Sequence, residues 1–193
     1  MAPYVALALL IVLAAGTALL YNQLVRLRRR VENAFAQIDV QLQRRHDLIP
    51  NLVETARAYL KHEEATLVGV AQARSQAAQA RASASPTDAP SMRALAQAES
   101  GLAGALGRLM MVSEAYPTLQ ADAQMMALQE ELTSTENRIA FARQAYNDAV
   151  TRYDTQVESV PSVFIARPLG FQPAESLLVA PPEAATAPRV AFA

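Results

Sequence analysis

The side chains in this chain that could do chemistry are few and scattered. His46 and His62 are the two histidines, and none of the 193 residues is cysteine. Without a thiol there is no cysteine nucleophile, no disulfide, no thiolate metal ligand and no lipoprotein-type acylation site. A di-iron carboxylate centre in a helical bundle needs Glu-x-x-His on two helices. Gln43 and Tyr59 stand three residues before the histidines, so that pattern is missing. His62, Glu63 and Glu64 open like a zinc-protease helix, but no second histidine follows four residues on. Gly101, Gly104 and Gly107 imitate a phosphate loop, yet no strand precedes them and no Lys-Ser/Thr follows. Close approach of two helices is the reading we give these glycines. Tyr146 and Asn147 recur seven residues later as Tyr153 and Asp154. That spacing suits core tyrosines with bonded hydroxyls better than catalysis. The cluster Arg44, Arg45, His46 and Asp47 could grip an anionic partner. Its plainer reading is a charged corner, solvated and paired with Asp47 or Glu54. No catalytic, cofactor-binding or metal residue is therefore expected, and a non-enzymatic chain is.

The elements that would position these residues begin with an apolar stretch. From Ala2 to Gln23 no residue is charged. A bilayer core ~30 Å thick takes about 20 apolar helical residues. Tyr4 and Tyr21 stand at the two ends, where aromatic rings favour the interface. A cleaved signal peptide would carry its basic residues ahead of the apolar run. Here Arg26, Arg28, Arg29 and Arg30 come after it. Residues 1–23 thus read as a transmembrane anchor in contact with the bilayer. The charge bias puts the short N-terminus outside and the bulk of the chain in the cytoplasm.

Beyond the anchor, about 150 residues suit one domain. The net charge of −1 supplies no basic field for nucleic acid. Ala, Leu, Gln, Glu and Arg dominate, a helix-forming composition. Leu24, Leu27, Val31, Ala34, Ile38 and Leu42 recur on one helical face. At Ile49 and Pro50 we expect a turn, with Pro50 opening a second helix over residues 51–82. A kink is the alternative, because Ile49, Leu52, Ala56 and Leu60 keep the earlier phase. Residues 83–91 are the clearest loop, and a third helix runs on to Tyr116. In the fourth, Met125, Leu132, Ile139, Tyr146, Tyr153 and Val160 are spaced by seven. That period favours supercoiled packing, as in a coiled coil. A second line, Met126, Ala140, Phe141, Val150 and Val157, lies partly off this seam. It suggests a homo-oligomer in which the fourth helix takes part; the alternative is that this line covers the Phe164–Phe171 segment folding back on the bundle. The expectation is all-α: an N-terminal transmembrane helix, then an antiparallel up-and-down four-helix bundle over 24–172. Residues 173–193 are Pro- and Ala-rich, and disorder is expected there.

The strings "IDVQLQRRHDLIPNLV" and "ENRIAFARQAYNDAV", with "FIARPLGFQP" beyond, resemble the bacterial LemA family. The resemblance covers about residues 21–173 and weakens across the Ala/Ser-rich centre. It implies an N-terminal transmembrane helix, a short external tail and an up-and-down bundle, with no established activity. The leading expectation is a scaffold or interaction module at the cytoplasmic face of the inner membrane. The alternative is an accessory or regulatory subunit docking a protein partner by Arg44, Arg45, His46 and Asp47. The charge bias makes one prediction. A single cysteine placed in the 83–91 loop should resist an impermeant thiol reagent in intact cells and react after lysis. Labelling of intact cells would put the body outside.

Overall fold

The helix that begins in the apolar stretch does not stop where that stretch ends. In the computed structural model, which describes residues 1–177, α1 (Ala2–Arg57) runs unbroken for 56 residues. At 1.5 Å per residue that is about 84 Å. Its first turns are bare, and Leu24 is the first fully buried residue. After α1 come α2 (Glu64–Ser83), α3 (Ala89–Ser113), the one-turn α4 (Pro117–Gln120), α5 (Ala123–Glu158) and the one-turn α6 (Val163–Ala166). The described residues are all-α, with no strand.

The expected turn at Pro50 is absent. Proline within a helix has no N–H for the carbonyl four residues back. That carbonyl belongs to His46, and Arg74 Nε of α2 donates to it at 2.7 Å. An orphaned acceptor thus gains a cationic donor. Ile49, Leu52 and Ala56 stay fully buried in the phase of the preceding helix. The reversal falls instead at residues 58–63, so the second helix starts at Glu64 and not at residue 51.

Bonds between helices give their directions. Gln23 Nε2 donates to Gln156 Oε1 at 2.8 Å, and Tyr59 Oη donates to Asp122 Oδ2 at 2.9 Å. α5 therefore runs antiparallel to α1 along its whole buried length. Arg81 of α2 reaches Asp39 at 2.8 Å while Arg74 reaches His46, so α2 also opposes α1. Asp88 caps α3 through Ser91 N–H at 3.0 Å, and Asp122 caps α5 through Met125 N–H at 2.9 Å.

The core has two halves. Far from the apolar stretch, Ile49, Leu52, Leu60, Val70, Leu102 and Leu109 join α1, α2 and α3. Nearer to it, Leu24, Val31 and Ile38 meet Ile139, Tyr146 and Tyr153. The α2–α3 hairpin covers this second half only at its tip, through Met92 and Leu95. The chain after α6 covers the rest. Gly170, at φ +74°, turns it in a Schellman arrangement: Phe171 N–H donates to Ala166 O at 3.0 Å and Gly170 N–H to Arg167 O at 3.2 Å. Residues 171–177 then climb along α5 as a strap. Ala174 N–H donates to Asp154 Oδ1 at 2.8 Å, Leu177 N–H to Asn147 Oδ1 at 3.0 Å, and Tyr146 Oη to Glu175 O at 2.6 Å. Glu175 N–H reaches Pro86 O in the α2–α3 loop at 2.8 Å. The seven-residue repeat of Tyr-Asn and Tyr-Asp is thus largely a clamp for backbone. Order extends past the boundary expected at residue 173, and the expected disorder of 178–193 lies outside the described residues.

Two smaller expectations also change. Val160, placed last on the heptad seam, is exposed, because α5 ends two residues earlier. Val150 and Val157 of the second line are buried, whereas Met126 and Phe141 are exposed. The Pro50 account predicts a coupling. Arg74→Ala should destabilise the protein, and the loss should shrink in a Pro50→Ala background, where residue 50 can donate to His46 O. Chemical denaturation of the four members of that cycle reads it; equal losses in both backgrounds would contradict the account.

Candidate functional site

α3 is apolar on its inward face, at Met92, Leu95, Leu102, Ala105 and Leu109. Glu99 occupies one position of that same face and is 8% exposed. Burying a carboxylate alone is prohibitive, so it needs partners. α1 supplies two consecutive ones. The Arg45 guanidinium is in ion-pair contact with Glu99 Oε2, and His46 Nε2 lies 3.1 Å from Glu99 Oε1. Arg45 and His46 are 3% and 2% exposed. Arg45 also reaches Glu136 Oε2 of α5 at 2.7 Å. Through the His46 carbonyl and Arg74, α2 joins the same node. One cluster therefore ties all four long helices at one level.

The charge state of His46 follows from its surroundings. Burial, then the charges of Arg45, Arg81 and Arg74, push its pKa down to about 4 against a weaker upward pull from Asp47. The ring is neutral at pH 7. A carboxylate oxygen only accepts, so Nε2 carries the proton and donates to Glu99. Nδ1 is then the bare nitrogen, and it has no hydrogen-bond partner among the described residues.

The expected quartet is split between two environments. Arg45 and His46 point inward and are not part of a solvated corner. Arg44 and Asp47 are exposed; Arg44 pairs with Glu131 of α5, and Asp47 accepts from Gln43 at 2.6 Å. Nor does the quartet sit at an end of the bundle, because α1 continues to Arg57. Glu99 and Glu136 were not singled out from sequence. The signal for Glu99 was present: it is the one acidic residue between Asp88 and Glu114, in phase with leucines.

The cluster also floors an opening between α3 and α5. Arg45 and Glu136 border two adjoining cavities. One, of about 300 Å³, has Leu95, Ala96, Ile139, Arg143 and Leu177 in its wall. The other, of about 670 Å³, lies toward Gly107, Met110, Met126 and Gln129. Gly104 and Gly107 are exposed here and Gly101 on the α2 side of α3, and a Cβ added at any of them would meet nothing within 4 Å. The glycines border open space, so the close helix approach expected of them does not occur within the monomer. Among the described residues no three His, Asp or Glu side chains are grouped to hold a metal ion.

Comparison with known proteins decides the family. The LemA family profile matches residues 34–192. The chain belongs to the LemA family. Two relatives are magnetosome proteins MamQ 1 and MamQ 2 of Paramagnetospirillum magneticum, each 28% identical over 173 residues and 80% of this chain. The chain spans 63% of the length of each. Magnetosome protein MamQ of Magnetospirillum gryphiswaldense is 26% identical over 190 residues, covering 88% of this chain and 70% of its own length. The LemA-family match and the bare apolar helix together mark a membrane-associated protein.

Glu99→Ala leaves Arg45 buried without its close partner, a loss of about 3–5 kcal/mol for a broken buried pair. Replacing the pair together, Arg45→Met with Glu99→Leu, should recover most of it, as read by denaturant unfolding. For His46 the folded pKa lies below its ordinary 6.5, so the unfolded chain binds the extra proton first. Stability should therefore be complete above about pH 6.5 and fall toward pH 4, with His46→Gln flattening that slope. An unchanged slope would contradict the buried neutral imidazole.

Proposed function

We propose that this LemA protein is a non-enzymatic scaffold, held in the membrane by residues 1–23 and presenting its bundle at the cytoplasmic face of a bacterial inner membrane. The observation that carries this reading is the continuity of α1. One helix is bare and apolar from Pro3 to Tyr21 and becomes a core helix at Leu24. Such a helix fixes the height and direction of the body above the bilayer, which a scaffold needs. The ionisable side chains with the deepest burial are engaged in tying helices together. Neither the family description nor the relatives' names denotes a reaction, which supports the same reading.

The open α3–α5 side supports lateral self-association. Met126 of α5 is exposed at the glycine-lined opening of α3, and Phe141 is exposed on another face of α5. Anchors confined to a plane raise the effective concentration of such faces. A second reading, an accessory subunit of a membrane complex, rests on exposed Arg44 and Asp47. Light scattering on the full chain in mild detergent should give a mass above one protomer, lowered by Phe141→Glu. A monomeric mass at every concentration would end the self-association reading. A stoichiometric foreign partner co-purifying from membranes, and lost with Arg44→Glu, would favour the accessory subunit. Turnover by the pure protein would overturn both.

A further inference from the structure

We propose that the turn after α5, with α6 and the residues just beyond it, is a second membrane contact, in which Val160, Phe164 and Leu169 enter the headgroup and upper acyl region beside the α1 anchor. This rests on the reading that residues 1–23 span the bilayer.

Three observations converge on it. The first is height. α5 runs antiparallel to α1, and Gln156 is level with Gln23 through their hydrogen bond. Each later residue of α5 advances 1.5 Å toward the apolar stretch. The chain therefore turns where the anchor leaves its hydrocarbon, and Phe171 meets the Tyr21 ring edge-on at 5.8 Å. Tyr21 is the aromatic residue placed at that interface.

The second is exposure. Val160, Phe164 and Leu169 are 75%, 73% and 55% exposed within ten residues of chain. The same segment buries Ser162, Ala166 and Phe171. It is thus held against the bundle by one side and presents apolar side chains on the other. On the rest of the body the large exposed apolar residues, such as Val40, Val68 and Phe141, are dispersed along separate helices.

The third is charge. Arg26 and Arg167 are exposed around the same level and make no ion pair among the described residues. Arg28 and Arg29 share Glu32. Glu158 is the acid nearest the turn, and the balance is basic. Apolar side chains flanked by arginine are what anionic headgroups over an acyl layer receive. The occupant of this surface is therefore lipid. Two attachments side by side also prevent the body from swinging about α1.

The chain contains no tryptophan, so a single introduced one reports alone. Full-length Phe164→Trp is reconstituted in vesicles of equal phosphatidylglycerol and phosphatidylcholine, with brominated chains as quenchers. Leu169→Trp provides a second probe of the turn, Leu10→Trp a probe of the anchor, and Phe141→Trp a probe of the exposed body. The turn probes should emit blue-shifted and be quenched by bromine near the glycerol backbone. Leu10→Trp should be quenched by bromine near the chain ends, and Phe141→Trp by neither. Water-like, unquenched emission from both turn probes, with Leu10→Trp quenched, would overturn the second contact and leave the anchor intact. An unquenched Leu10→Trp would overturn the anchor, and the second contact with it.

Discussion

The carboxylate of Glu99, enclosed between Arg45 and His46, is the interaction on which the bundle's arrangement depends. An isolated charge in that position would be untenable, so α3 can dock only where α1 offers a cation and a neutral donor together. Arg45 extends the same node to α5 through Glu136, and the His46 backbone extends it to α2 through Arg74. Hydrophobic seams alone allow a helix to slide by a turn. A buried polar node admits one register, a role best attested for polar residues in coiled coils.

The node has a second consequence for α1. Pro50 would ordinarily end or bend a helix, because it leaves a carbonyl without a donor. Here the carbonyl belongs to His46, and the guanidinium that fills it also binds α2. The buried part of α1, residues 24–57, is thereby kept about as long as the 36-residue α5. Since the same helix begins in the apolar stretch, orientation at the membrane passes to the body without a joint. The strap of residues 171–177 completes the near half of the core, which the shorter α2–α3 hairpin does not cover.

Much of this was legible in the residues. The all-α class, the bare apolar start and the α1 and α5 seams follow from composition and period, because packing of one helical face against another is decided by spacing alone. Leu24, Val31, Ile38 and Leu42 are buried as that period requires. Pro50 misled because its local cost is plain in sequence, while its remedy, Arg74, lies 24 residues away on another helix. Arg45 and His46 looked like surface charges because adjacent residues of a helix usually divide between faces. Only Glu99, itself in apolar phase, explains their burial. The glycines of α3 suggest a close contact by their spacing, but within the monomer they border open space. The strap has no period, so only the residues that hold it, Tyr146, Asn147 and Asp154, stand out in the sequence.

α1 is one continuous helix from the apolar stretch through Pro50 to Arg57, held so by the Arg74 and Glu99 contacts. The chain lacks cysteine, so two introduced thiols can be spin-labelled selectively. Gln37 and Arg57 are both exposed. Pulsed dipolar spectroscopy on Gln37→Cys with Arg57→Cys, in the full-length protein in lipid, measures the distance between them. Twenty residues of unbroken helix predict a narrow distribution near ~30 Å. A reversal at Pro50 would bring the labels to less than about 20 Å by the same rise per residue, and that result would contradict the account.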